Sequence, residues 1–317
     1  MISNENWQVG ISSDTGPVKK RNEDFYFCKL IADADGHDFT MVAIADGMGG
    51  YQGGDTASQM AIETLNQWWE KHIHKFLKKR DVLPKLIKEM TQLCKKMNEE
   101  LLRFGTKIGT TLSILILYKG RYAICHVGDS RIYQFKGGNV GFQNFFRSKG
   151  QEESVNLLKR QHTETLEMDV EMTQLTEDHS WVEQEIRKGR LTKEEARQHR
   201  KRNVLTQCLG IEKGVDPWSQ LGFYQPSDLF LLCSDGFYSM FSNEEISETI
   251  LGLEKEYTDF QTLTDYLVKL AAYSGTRDNI TVILLRNIFE KDAGSKEQEK
   301  SKLLSFLNYK QWSRKNG

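Results

Sequence analysis

The chain has 317 residues, enough for one large domain or two smaller ones. Its 43 lysines and arginines against 44 aspartates and glutamates leave a formal net charge of −1, which argues against a nucleic-acid or other polyanion binder. Apolar content of 38% is ordinary for a soluble globular protein, no apolar run approaches the ~20 residues of a membrane span, and no basic region followed by an apolar stretch marks a signal peptide.

Residues 7–12 alternate loosely and suit an opening strand; 14–24 is polar, with a turn at Gly16-Pro17. Two apolar runs, 25–31 and 39–45, bracket the turn 33–38 and predict a hairpin. That turn, D-A-D-G-H-D, has a faint likeness to a calcium loop, but its glycine comes too early for an EF-hand and no helix pattern precedes it. The second run ends as M-V-A-I-A-D-G-M-G-G (41–50), a buried strand reaching a carboxylate at Asp46 and then a turn at Gly47, Gly49 and Gly50. A carboxylate at the end of a buried strand is costly unless a positive charge sits on it. No Lys or Arg lies in this stretch, so a metal ion is a candidate; the bland alternative is a solvated aspartate in a turn.

The spacing of Ala57, Met60, Ala61, Thr64, Leu65, Trp68 and Trp69 predicts a helix over 53–79, and that of Leu86, Met90, Leu93, Cys94, Met97 and Leu101 a second over 84–104, with Pro84 in its first turn. The Met and Trp stripe reads as core packing and the basic patches 71–80 and 85–96 as solvated helix faces. Strands follow at 109–117, 121–127 and 131–135, with turns at Lys119-Gly120 and Gly137-Gly138. Residues 139–171 are polar and aperiodic and read as an inserted excursion. The stretch 176–210 is charged and helical in parts, with a cap at Ser180 and a helix start at Leu191-Thr192. A strand at 230–233, a helix capped at Ser242, an amphipathic helix at 260–273 and a strand at 280–286 complete the order; beyond 289 lies a charged appendage with an aromatic patch at 306–312. Segregated blocks of strands and helices favour a layered α+β fold with antiparallel sheets.

Five acidic clusters sit at the edges of strand-like runs: Asn22-Glu23-Asp24, Asp46, Asp129, Asp235 and Asp278. Strand ends converging on one centre would make an all-oxygen ligand set of the kind Mg²⁺ and Mn²⁺ prefer.

The ordered series N-E-D (22–24), A-D-G-x-G-G (45–50), G-T-T (109–111), V-G-D-S-R (127–131), L-T-E-D-H-S (175–180), C-S-D-G (233–236) and R-D-N-I-T-V (277–282) resembles the metal-dependent serine/threonine phosphatases of the PPM/PP2C type, bacterial branch, over residues 7–287. The resemblance implies a β-sandwich of two antiparallel sheets flanked by helix pairs, in a phosphatase domain at 1–289 with an insertion at 139–171 and a flap at 176–210, followed by a tail at 290–317. It implies that Asp46 bridges two Mn²⁺ or Mg²⁺ ions, with Asp235 and Asp278 completing the first site. Glu23 and the Gly47 carbonyl would serve the second, Asp24 would hold waters from behind, Asn279 would support the Asp278 loop, and Asp129 would help hold a third, looser ion. Hydrolysis of phosphoserine and phosphothreonine in proteins by a water shared between the ions is the implied activity. A cognate Ser/Thr kinase, a monomeric state and a cytoplasmic location are further expectations, the last also resting on five scattered cysteines without a C-x-x-C pair.

Three departures stand out. Lys19 occupies the place where the family commonly has an arginine that holds the substrate phosphate; lysine offers a point charge without a fork, and Arg21 is the alternative. Met48 stands where many eukaryotic members have a histidine and donates no proton; His126, nearby in sequence, reads as a core or strand-edge residue. The excursion 139–171 is longer than the hairpin usual there.

Three rival readings compete for these residues. Cys125 and Arg131 satisfy the C-x5-R spacing of cysteine-dependent phosphatases, but the residues after Arg131 alternate like a strand and Cys125 lies inside a strand-like run. A non-catalytic phosphoprotein-binding module on the same fold would have lost carboxylates that are all present here. A two-metal nuclease or other phosphoesterase is disfavoured by the neutral charge balance and by the family resemblance.

Overall fold

The computed structural model describes residues 6–49, 53–104, 108–137, 171–254, 257 and 259–288. The apolar runs become strands β1 (Trp7–Asp14), β2 (Asp24–Ala32), β3 (Asp38–Met48), β4 (Gly109–Thr110), β5 (Leu112–Tyr118), β6 (Arg121–Val127), β7 (Arg131–Lys136), β8 (Glu171–Gln174), β9 (Trp218–Phe223), β10 (Leu229–Cys233) and β11 (Ile280–Asn287). The helices are α1 (Gly54–Leu77), α2 (Val82–Leu102), α3 (Trp181–Arg187), α4 (Lys193–Gln198), α5 (Asp235–Tyr238), α6 (Asn243–Glu254) and α7 (Phe260–Tyr273). Two antiparallel sheets result, one ordered β1-β11-β10-β7-β8 and the other β2-β3-β5-β6-β9 with β4 paired to β3.

Each sheet is buried on both faces, which is why the strands read as nearly continuous apolar runs. Along β3, Val42 and Ile44 pack between the sheets with Leu115, Phe230 and Ile283, while Met41, Ala43 and Ala45 face α1 and α2 with Leu65, Trp69 and Met90. On the opposite outer face Leu231, Val282 and Leu284 meet Ile250, Leu263 and Leu267 of α6 and α7. Removing each such side chain from water contributes roughly 1.5–3 kcal/mol, so three stacked apolar layers hold the sandwich. The expected α+β sandwich with helices on both outer faces is thus the observed architecture.

Several local expectations hold. Ser180 caps α3 by accepting from the Glu183 N–H, and Thr192 with Glu195 forms a reciprocal capping box on α4. The 33–38 turn is a hairpin: Asp33 accepts from the backbone N–H of Asp35 and His37, and its other oxygen is held by Tyr118 at 2.6 Å and Lys119 at 3.0 Å. Asp33, Asp35 and His37 bring their ligand atoms within 4.8 Å of one another, but Asp33 is already neutralised by the lysine.

Other expectations are corrected. β3 does not end at Asp46; it runs on to Met48 because Gly47 and Met48 pair with Thr110 and Gly109 of β4. Asp235 is not a strand terminus but the first residue of the one-turn helix α5. β8 and β9 do not stand out in the sequence: β8 is four residues long, and the inward positions of β9 are Trp218, Gln220 and Gly222, the last so close to Tyr122 that a Cβ would meet its ring at 2.1 Å. With Leu221 and Phe223 turned outward and Gln220 and Gly222 inward, the polarity of β9 after Trp218 alternates the wrong way for a core strand. Of the 139–171 excursion only Glu171, which opens β8, lies among the described residues, and the 290–317 tail lies outside them.

Candidate metal centre

Strand register brings the acidic clusters to one end of the sandwich. Asp24 and Asp46 are directly opposed across β2 and β3. In the facing sheet Cys233 is opposed to both Val282 and Arg131, so Asp235 just beyond β10, Asp278 just before β11 and Asp129 just before β7 lie at the same end. The charge of Asp46 is felt against those of Asp24, Asp235, Asp129 and Asp278, and Glu23 couples to the group through Lys19 and Asp278.

The backbone around each carboxylate is locked by neighbours distant in sequence. Asp46 N–H donates to Thr111 Oγ1 at 2.9 Å, and its carbonyl accepts from Thr111 N–H at 2.9 Å and Thr110 Oγ1 at 3.0 Å. Asn279 accepts from Glu23 N–H at 3.0 Å and donates to the carbonyls of Thr15 and Arg21, both at 2.9 Å, so it staples the N-E-D segment as well as lying beside Asp278. The Glu23 carboxylate sits at the N-terminus of α1 and accepts from Asp55 N–H, where the helix dipole favours an anion. Two glycines after aspartates are needed for close approach. A Cβ on Gly47 would lie 2.6 Å from Glu23 O and 2.3 Å from Gly54 O, and one on Gly236 would lie 2.0 Å from Asn279 O.

Burial and mutual repulsion dominate the electrostatics. Burial, then the charges of neighbouring aspartates, hold Asp46 and Asp235 well above the usual carboxylate range. Burial pushes Asp24 up to about 6 against hydrogen bonds to Oδ2 from Thr281 at 2.7 Å and Ser234 at 2.8 Å. Burial and then the Asp178 charge push Asp129 up to about 7, opposed by Arg131 and the Tyr238 hydroxyl. Lys19 is the cation set among these acids: its Nζ lies 2.7 Å from Asp278 Oδ1 and 3.8 Å from Glu23 Oε2. Burial works to lower the Lys19 pKa, and Asp278, Glu23 and Asp46 outweigh it and raise it. Arg21 instead reaches Asp55 at 3.3 Å, with its side chain 72% exposed.

These residues fit hard divalent cations. The donors are all oxygens, Asp24 Oδ1 is buried without a hydrogen-bond partner, and among the described residues none donates a hydrogen bond to the Asp46 or Asp235 carboxylate.

The sequence model of the protein phosphatase 2C family matches residues 18–274. The chain belongs to the protein phosphatase 2C family. It is 32% identical over 258 residues to the serine/threonine phosphatase stp of Listeria innocua, covering 79% of this chain and 86% of that one. The S. agalactiae serine/threonine phosphatase superposes with a TM-score of 0.66 at 26% identity, covering 89% of this chain and 99% of that one. The catalytic domain of the phosphatase PstP in complex with two manganese ions superposes with a TM-score of 0.62 at 25% identity, covering 89% of this chain and 98% of that one.

Membership in PP2C, a phosphatase family, agrees with where the rival residues lie. Cys125 is 1% exposed in the middle of β6, facing the α2 side of the core with its Sγ 3.9 Å from that of Cys94. Arg131, the other half of the C-x5-R spacing, is engaged: Nε lies 3.1 Å from both Asp178 oxygens, Nη2 lies 2.7 Å from Oδ2, and the Tyr238 ring lies 3.8 Å from the guanidinium carbon. His126 is fully buried between Ser113 Oγ at 2.8 Å and the Glu177 carbonyl at 3.1 Å, as a core histidine. The T-E-D-H-S segment is clamped to the loop carrying Asp129 by His179 N–H to the Gly128 carbonyl at 2.7 Å. The hydroxyls of Thr110 and Thr111 reach Asp46 only once β4 is paired with β3, and Arg131 meets Asp178 and the Tyr238 ring only in the folded chain, so the G-T-T and T-E-D-H-S motifs do not disclose these roles by themselves.

Proposed function

We propose that this chain hydrolyses phosphoserine and phosphothreonine in proteins at a centre of two divalent ions, Mn²⁺ or Mg²⁺, held at the end of the sandwich. The observation that carries the reading is the convergence of Glu23, Asp24, Asp46, Asp129, Asp235 and Asp278, with Lys19 as the cation on Asp278 and Glu23. In this reading Asp46 would be shared by the two ions, Asp235 and Asp278 would help hold one, and Glu23 with the Gly47 carbonyl would help hold the other. Asp24 orients waters through its unpartnered oxygen, and Asp129 takes part in a third, looser site. Ions bound there would lower the pKa of a shared water and offset the charge on the phosphoryl oxygens.

The chain's own part is preorganisation. Thr110 and Thr111 fix the Asp46 backbone, Asn279 and the α1 N-terminus fix Glu23, and Lys19 stands where it can meet a phosphoryl oxygen as a point charge. Met48 offers no proton, so the leaving oxygen is protonated by water or by another group. Phosphoproteins are the proposed substrates, with a Ser/Thr kinase as their source. The flap at 176–210 and the insertion at 139–171 belong to the same proposed domain, followed by the tail at 290–317. A cytoplasmic, monomeric enzyme is part of the reading, supported by five buried, free cysteines. Among the described residues no helix is long and apolar enough to cross a membrane.

The test is hydrolysis of a phosphothreonine peptide with Mn²⁺ and again with excess EDTA. Turnover that requires Mn²⁺ supports the reading. Turnover indifferent to chelator refutes it, and binding of the peptide without turnover in Mn²⁺ replaces it with a phosphoprotein-binding module.

A further inference from the structure

We propose that the Lys19 ammonium is a displaceable counter-ion of this centre, competing with divalent cations for the Asp278 and Glu23 carboxylates and so coupling ion loading to phosphate capture. The inference rests on the two-ion reading above. Glu23 precedes β2 in one sheet and Asp278 precedes β11 in the other, so the ammonium ties the two halves of the sandwich together at the centre, 2.7 Å from Asp278 Oδ1 and 3.8 Å from Glu23 Oε2. The proposed ligand sets give those two carboxylates to different ions. A dication and an ammonium on one carboxylate oxygen repel each other as like charges at contact distance, so an arriving ion pushes the lysine away.

The surroundings let it leave. The Lys19 side chain is 36% exposed, and a flexible four-carbon stem carrying a compact charge moves more readily than a planar guanidinium locked in a fork. Asp278 keeps its position without it, because Oδ1 also accepts from Asn279 N–H at 2.9 Å. Glu23 likewise keeps its hydrogen bond from Asp55 N–H at the start of α1. Arg21 points instead to Asp55, 3.3 Å away. Once displaced, the ammonium is a free positive charge at the rim of the centre, where a substrate phosphate arrives. The lysine therefore becomes available to phosphate when the ions are in place.

The experiment is isothermal titration of the full chain with Mn²⁺ alone, comparing wild type, Lys19→Met and Lys19→Arg, with thermal melts in EDTA. Loss of two part-exposed ion pairs predicts that Lys19→Met binds Mn²⁺ on the order of tenfold tighter. It should also melt below wild type in EDTA. Lys19→Arg, which keeps the charge, should stay at or below wild-type affinity. Lys19→Met should also raise KM for a phosphothreonine peptide more than it lowers kcat. Wild-type or weaker Mn²⁺ affinity in folded Lys19→Met overturns the competition while leaving the two-ion reading intact. No Mn²⁺ binding by the wild type overturns both. Lys19→Gln, smaller and polar, repeats the comparison if the Met variant is insoluble.

Discussion

Replacing Asp46 by asparagine separates the cost of the acidic cluster from its use. The change removes one negative charge and almost no volume, and the Thr110 and Thr111 bonds to the Asp46 backbone are untouched. Asp24 and Asp46 are directly opposed across β2 and β3, and such residues have Cα atoms about 5 Å apart. Two full charges at that distance repel by about 3 kcal/mol at an effective dielectric of about 20. Partial protonation of both groups reduces this, so Asp46→Asn should stabilise the chelated protein by about 1–2 kcal/mol, or roughly 3–6 °C in melting temperature. Wild type at a hundredfold excess of Mn²⁺ over Kd should gain about 2.7 kcal/mol, and the variant, without the proposed bridging ligand, much less. Turnover should fall by about a thousandfold or more. The assay is a pair of melts, in EDTA and in Mn²⁺, with phosphopeptide turnover on the same samples. A variant that melts below wild type in EDTA, or that gains as much from Mn²⁺, refutes the reasoning.

Without added ions, stability should depend on pH. Asp24 at about 6 and Asp129 at about 7 hold protons more tightly in the fold than in the unfolded chain, so their contribution is present at low pH and lost as pH rises through those values. Buried His126, pushed down to about 3 by burial and the His179 charge, acts oppositely, losing stability as pH falls below about 6.5. Melts in EDTA should therefore fall from pH 6 to pH 8, and saturating Mn²⁺ should flatten or invert that slope; a rise over this range in EDTA would contradict the carboxylate assignment. Thr111→Val leaves the Asp46 N–H and the Ser130 hydroxyl, 2.8 Å from Thr111 Oγ1, without that partner, and should lower stability in urea by about 1–3 kcal/mol while slowing turnover. Cys125→Ala should cost about 1 kcal/mol and leave turnover within about twofold, whereas a loss beyond about a hundredfold would restore the thiolate mechanism.

The strands and helices that carry the core were legible because their cause is local. The apolar runs of β3, β5 and β11 and the helical stripe from Ala57 to Trp69 are properties of short windows, as are the caps at Ser180 and Thr192. β9 was not legible, because two of its inward residues fit Tyr122: Gln220 bonds its hydroxyl at 2.9 Å and Gly222 makes room for its ring. α5 is a single turn, too short for any periodicity, and it begins at Asp235, whose D-G reads equally well as a strand end.

By itself the sequence determined that carboxylates end or precede five apolar runs, within an ordered series of motifs that resembles the PP2C-type phosphatases. An aspartate beside a strand and a glycine after it are features of adjacent residues. Only the tertiary structure decided what each carboxylate faces. Asp46 is fixed by a threonine 65 residues away and Glu23 by an asparagine 256 residues away, contacts that exist only after loop closure sets strand register. The same closure turned Lys19 toward Asp278 and Glu23, and Arg21 toward Asp55. Charge complementarity acts through space, and the chain's spacing does not record which of two neighbouring cations will be brought within reach of which acid.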